Sequence, residues 1–61
     1  MEGKNLIEEM VRYRAKHNLS QAELGKLCGL STQTINSVEA GTQTPSAVTE
    51  MKIWMKLEEE E

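Results

Sequence analysis

Leu19-Ser20-Gln21-Ala22-Glu23-Leu24-Gly25-Lys26-Leu27-Cys28-Gly29-Leu30-Ser31-Thr32-Gln33-Thr34-Ile35-Asn36-Ser37-Val38-Glu39-Ala40-Gly41 is a run of polar caps and glycine stops around two short, apolar-patterned segments. The Ser20 hydroxyl can accept from an otherwise unpaired helix N–H, and Glu23 falls three residues later, so Ser20-Gln21-Ala22-Glu23 is a capping box that starts a helix. That helix runs to about Leu27 or Cys28, where Gly29 supplies the left-handed position that ends it. Leu30-Ser31 then opens a second helix with a second cap. It covers Thr32 to Glu39, with Ile35 and Val38 as its inward pair and Gln33, Asn36 and Ser37 left outside.

Towards the N-terminus, Leu6, Ile7, Met10, Val11 and Tyr13 recur at helical spacing among Glu8, Glu9, Arg12, Arg14 and Lys16, which predicts a helix closed by His17 and Asn18. Towards the C-terminus, Ala40-Gly41 ends the third helix, Thr42, Gln43 and Thr44 form a loop, and Pro45-Ser46 sets up the cap of a last helix from about Ala47 to Leu57. On that helix Ala47, Met51, Trp54 and Leu57 share one face, which leaves Val48, Ile53 and Met55 outside it. Two readings fit these three: an interface with a second copy, or side chains wrapped around a small core. No internal repeat or strand-like alternation interrupts the pattern. The expected fold is all-α, a compact bundle of four helices or at most five, built around these two short helices and their turn.

At 61 residues one domain is the ceiling, and with no Phe, one Tyr and one Trp the core must come from aliphatic and Met side chains. Such a body leaves little room for a preorganised catalytic pocket, so an enzyme, a small-molecule substrate and a cofactor are not expected. Cys28 alone makes neither an intramolecular disulfide nor a cysteine-based zinc site. No apolar run approaches the roughly 20 residues of a membrane span, and Met1 to Asn5 lack the order of a signal peptide; the expectation is a soluble, cytoplasmic chain. Seven Lys and Arg face ten Asp and Glu, but four of the acids are the run Glu58 to Glu61. Residues 1–57 are therefore a nearly neutral domain, and 58–61 an acidic, solvated tail. Cys28 is expected to fill core space, and His17 to complement the dipole at its helix end.

Ser20-Gln21, Glu23-Leu24, Gly29, Ser31, Ile35, Glu39, Gly41 and Pro45-Ser46 stand in the order found in the helix-turn-helix domain of phage repressor and Cro-type regulators, which the chain resembles from about residue 6 to residue 57. The resemblance implies that the helix from Thr32 enters the major groove of double-stranded DNA and sends Thr32, Gln33, Asn36 and Ser37 towards the bases. Of these, Gln33 has the chemistry for a two-point contact with adenine, as does Asn36 if it reaches. It further implies that Gln21 binds backbone phosphate, where the start of a helix already favours an anion. Ser31, Thr34, Thr42, Lys16 and Lys26 join it as candidate phosphate contacts. Arg14 and Glu39 correspond to an ion pair that braces the recognition helix in some phage repressors.

The chain departs from that pattern in places. Thr42, Gln43 and Thr44 stand where many members carry Lys or Arg, which implies weak monomer binding and a shallow salt dependence. Leu27 replaces a usually polar residue, Gly25 replaces a small helix former at a cost of about 1 kcal/mol relative to Ala, and the fifth helix of longer members is absent or fused into the fourth. The expectation is a sequence-specific DNA-binding regulator, a repressor acting as a homodimer. Its rival is an interaction module or antitoxin that uses the same fold with weak or no DNA binding.

Overall fold

The structure, a computed structural model, describes residues 5–59. Four helices follow one another: α1 (Leu6–His17), α2 (Gln21–Cys28), α3 (Thr32–Ala40) and α4 (Ala47–Glu58). All four starts and the first three ends have a local cause. Asn5, Ser20, Ser31 and Ser46 each accept from the backbone N–H three residues on, and at Ser20 the Glu23 carboxylate also accepts from the Ser20 backbone N–H at 2.8 Å, completing the capping box. Asn18, Gly29 and Gly41 end the first three helices with positive φ. After glycine, Asn is the residue most often found ending a helix in this conformation.

α2 and α3 pack most closely against each other, and α1 and α4 close the back of the pair, giving a body of 26 × 25 × 18 Å. Each helix sends one side chain to full burial: Met10, Leu24, Ile35 and Ile53. Tyr13, Cys28, Val38 and Leu57 surround them, and Leu6, Leu19, Leu30 and Trp54 seal the edge. At about 1.5 to 3 kcal/mol for each large side chain removed from water, the four central residues alone contribute on the order of 10 kcal/mol before chain entropy is subtracted. Cys28 sits in the core as expected, and burial pushes its thiol pKa up while the charge of Lys56 opposes the rise. His17 closes α1 with its ring centroid 4.5 Å from that of Tyr13.

α4 is turned relative to the expectation. Ile53 is fully buried and Leu57 nearly so, whereas Met51, expected inside, is 58% exposed and Ala47 is exposed as well. The seat of the helix is set by Ile53 and Leu57, four residues apart, with Trp54 alongside, a narrower stripe than the one drawn through Ala47 and Met51. Ile53 therefore belongs to the core and is removed from the candidate dimer surface. Val48 and Met55 stay outside, and Met51 joins them.

The acidic run is divided too. Glu58 is the last residue of α4, Glu59 caps it and pairs with Lys56 at 2.9 Å, and residues 60–61 lie outside the described part. Among the described residues no helix is long and apolar enough to cross a membrane.

Candidate nucleic-acid interface

The turn between α2 and α3 is three residues, Gly29 to Ser31, and two close approaches hold it. The Leu30 N–H donates to the Gly25 carbonyl at 2.7 Å. A Cβ on Gly25 would stand 2.8 Å from the Leu30 carbonyl oxygen, 3.2 Å from that of Ser31 and 3.3 Å from Cγ1 of Ile35. Gly25 is thus the residue that lets α2 and α3 touch, a role its helix propensity hides.

With Ile35 and Val38 pinned in the core, helical periodicity turns Thr32, Gln33 and Asn36 to the opposite face, where all three are exposed; Ser37 beside them is half-buried. The face is polar and carries no charge of its own. Its charge lies at the edge, where Glu39, with a side chain 7% exposed, meets Arg14 of α1. The guanidinium donates through Nε to Oε2 at 2.9 Å and through Nη2 to Oε1 at 2.7 Å, while Nη1 reaches the Leu19 carbonyl at 3.3 Å. Burial by itself raises the pKa of Glu39, but hydrogen bonds from Arg14 and Gln21 and the charge of Arg14 outweigh it and hold the carboxyl below its ordinary range. The same pairing raises Arg14. The expected ion pair is present and partly buried.

Gln21, in the first turn of α2, lies between that pair and the exposed face. Its Nε2 donates to Glu39 Oε1 at 3.0 Å, and its Oε1 accepts from Asn36 Nδ2 at 3.2 Å. The sequence suggested each of these residues separately; that they form one chain of contacts was not legible, because it depends on how α2 crosses α3.

The remaining candidates divide by available hydrogens. The Ser31 and Thr34 hydroxyls are 2.9 Å apart and share one hydrogen bond, so one of the two retains an O–H for an outside acceptor. Thr42 directs its single hydroxyl hydrogen to the Ser37 carbonyl at 3.3 Å, which its backbone N–H also meets at 3.2 Å, so its hydroxyl is committed within the fold. Lys16 and Lys26 are exposed, on α1 and α2. Among the described residues no cluster of His, Cys, Asp or Glu has the makings of a metal site.

Two short helices crossing at a glycine-bearing turn, the second braced from behind by a buried-edge ion pair, are the core of a known domain type, and residues 11–53 match the model of the helix-turn-helix family. The chain belongs to the Cro/C1-type helix-turn-helix family. It is 49% identical over 41 residues to an uncharacterized HTH-type transcriptional regulator of Methanocaldococcus jannaschii, an alignment that covers 67% of this chain and 62% of that protein. No solved structure gives a significant match to this helix-turn-helix chain.

Proposed function

We propose that the chain is a sequence-specific DNA-binding transcriptional regulator that reads the major groove with α3. The observation that carries this reading is the exposed face of Thr32, Gln33 and Asn36 on a helix locked by Ile35 and Val38 on one side and by Arg14–Glu39 at its end. An uncharged face rich in amide and hydroxyl groups suits base edges, which present paired donors and acceptors; it suits a bare phosphate surface far less well. Gln33 is the principal candidate reader of adenine, Thr32 offers a methyl to a thymine methyl, and half-buried Ser37 lies at the margin. Phosphates are held by Gln21, by the free O–H of the Ser31–Thr34 pair and by Lys16 and Lys26.

The working unit is a homodimer, formed through the stripe of Val48, Met51 and Met55 on α4, which sets two copies of α3 about 34 Å apart at a two-part site. Its action is repression.

Selection from a random duplex pool, followed by titration of enriched and scrambled duplexes, tests the reading. A motif with two related halves should emerge, and Gln33→Ala should lose preference at one position in each half while keeping the fold. A folded protein that enriches nothing at low salt sinks the proposal, and protein partners of the exposed α4 stripe would then be sought.

A further inference from the structure

The contacts around Gln21 have a direction. An ionised carboxylate can only accept hydrogen bonds, so Glu39 Oε1, which already takes Arg14 Nη2 at 2.7 Å, obliges Gln21 to turn its NH2 group towards it at 3.0 Å. The Gln21 oxygen is thereby turned the other way, and it can only accept; at 3.2 Å it meets the NH2 group of Asn36. Asn36 is exposed and has no second anchor of this kind, so the last amide in the series is left with its oxygen and one N–H for solvent or a ligand.

We infer that Glu39 and Gln21 are positioning residues that fix the amide of Asn36 with its oxygen available to the groove, making Asn36 a reader of adenine. This rests on the reading of α3 as a major-groove helix. A fixed oxygen beside a free N–H matches adenine, which offers the N6 donor next to the N7 acceptor. Guanine presents two acceptors at O6 and N7, and thymine an acceptor and a methyl, so the oxygen of Asn36 faces an acceptor or nothing in either case. Cytosine satisfies the oxygen through N4 and leaves the N–H unmatched. The order at that base pair is therefore adenine first, cytosine second, guanine and thymine last. An asparagine free to rotate could offer both N–H bonds of its NH2 group to the two acceptors of guanine; in this one, one of those N–H bonds is committed to Gln21, itself held by the charge of Glu39.

Two measurements on the full chain test it. In the free protein, the side-chain amide resonances of Asn36 are followed in wild type, Glu39→Gln and Gln21→Met. Glu39→Gln replaces a group that only accepts by one that also donates, and Gln21→Met cuts the series in the middle while leaving Arg14–Glu39 in place, so it serves if Glu39→Gln fails to fold. Both should move the Asn36 NH2 resonances with the helical backbone pattern kept; resonances indifferent to both changes overturn the proposal.

With DNA, the base pair read by Asn36 is located as the position that loses its preference in Asn36→Ala. Wild type should prefer adenine over guanine there by about tenfold or more. Gln21→Met should weaken every duplex through the lost phosphate contact and, in addition, cut that ratio several-fold. A uniform loss with the ratio intact, or a wild-type preference for guanine or thymine, overturns the proposal. A wild type that enriches no sequence overturns it together with the groove-binding function, and the resonances of the free protein then report separately on whether the amide series exists.

Discussion

Arg14 and Glu39 form a fork of two parallel hydrogen bonds, 2.9 and 2.7 Å, that ties the last turn of α1 to the last turn of α3 across 25 residues of sequence. Removing one arm strands the other. Arg14→Met should destabilise the fold by about 2 to 3 kcal/mol, less than the 3 to 5 of a fully buried pair because Arg14 is partly exposed. The double change Arg14→Met with Glu39→Met should recover part of that loss, since no carboxylate is then left desolvated. Thermal unfolding followed by circular dichroism measures both; a double variant less stable than the single one would contradict this account.

Acid should act through the same pair. The folded state holds the Glu39 carboxyl below its ordinary range, so the proton binds the unfolded chain more readily. Its stabilisation is present above the unfolded carboxyl pKa of about 4.3 and is lost as pH falls through the lower folded value. In Arg14→Met the hydrogen bond and the charge of Arg14 are gone and the Gln21 hydrogen bond alone opposes burial, the largest single cause, so the contribution of Glu39 should change sign and acidification should restore stability relative to wild type. Urea midpoints of the two proteins between pH 3 and pH 7 should therefore converge towards acid; parallel curves would separate Glu39 from this role.

Gly25→Ala offers a contest between propensity and packing. In an exposed helix the change gains about 1 kcal/mol. Here the new methyl meets two backbone carbonyl oxygens, at 2.8 and 3.2 Å, which cannot step aside without opening the turn. The expected result is a net loss of about 1 to 3 kcal/mol, read as a lower denaturant midpoint, with DNA affinity falling alongside because α3 shifts on α2. A midpoint equal to or above that of wild type would show the turn to be compliant.

That contest also marks what the sequence could and could not disclose. Caps are local chemistry, and Ser20, Ser31, Ser46, Gly29 and Gly41 could be read from neighbours within a few residues; so could the inward pair Ile35 and Val38, whose polar surroundings leave one apolar face. On α4 the pattern was ambiguous, because Val48, Met51, Ile53 and Met55 are all apolar and periodicity alone does not choose which of them meets the core. Ile53 is the one buried because α4 packs against α1 and α2 on that side, a fact of tertiary packing. The clearance around Gly25 and the turn of the Gln21 amide between Glu39 and Asn36 are likewise properties of a helix crossing, which no window along the chain contains.

Salt dependence should be shallow. Thr42, Gln43 and Thr44 bring no positive charge to the loop after α3, and the proposed phosphate contacts of Gln21 and of the Ser31–Thr34 pair are neutral donors that would displace no condensed counterion. With Lys16 and Lys26 as the proposed cations, about two phosphates per protomer would be neutralised, so the slope of log K against log salt for a dimer should be no steeper than about −4. Gln43→Arg should steepen it by about 2 per dimer and tighten binding to specific and scrambled duplexes alike. A wild-type slope near −8 would mean that further basic residues reach the backbone.

The stripe on α4 yields the last prediction. Val48, Met51 and Met55 are 65%, 58% and 60% exposed, and their spacing of three and four residues places them in one row on the side away from Ile53 and Leu57. An apolar row of that kind is covered in the working protein if two copies meet there, and a charge placed in it meets its own image across the two-fold axis. Met51→Lys should therefore leave the monomer fold and its thermal transition nearly unchanged, because the side chain is outside the core, while shifting sedimentation from dimer to monomer. Binding to a two-part site should fall far more than binding to a single half-site. If Met51→Lys sediments as wild type does and keeps full-site affinity, the copies do not pair through α4.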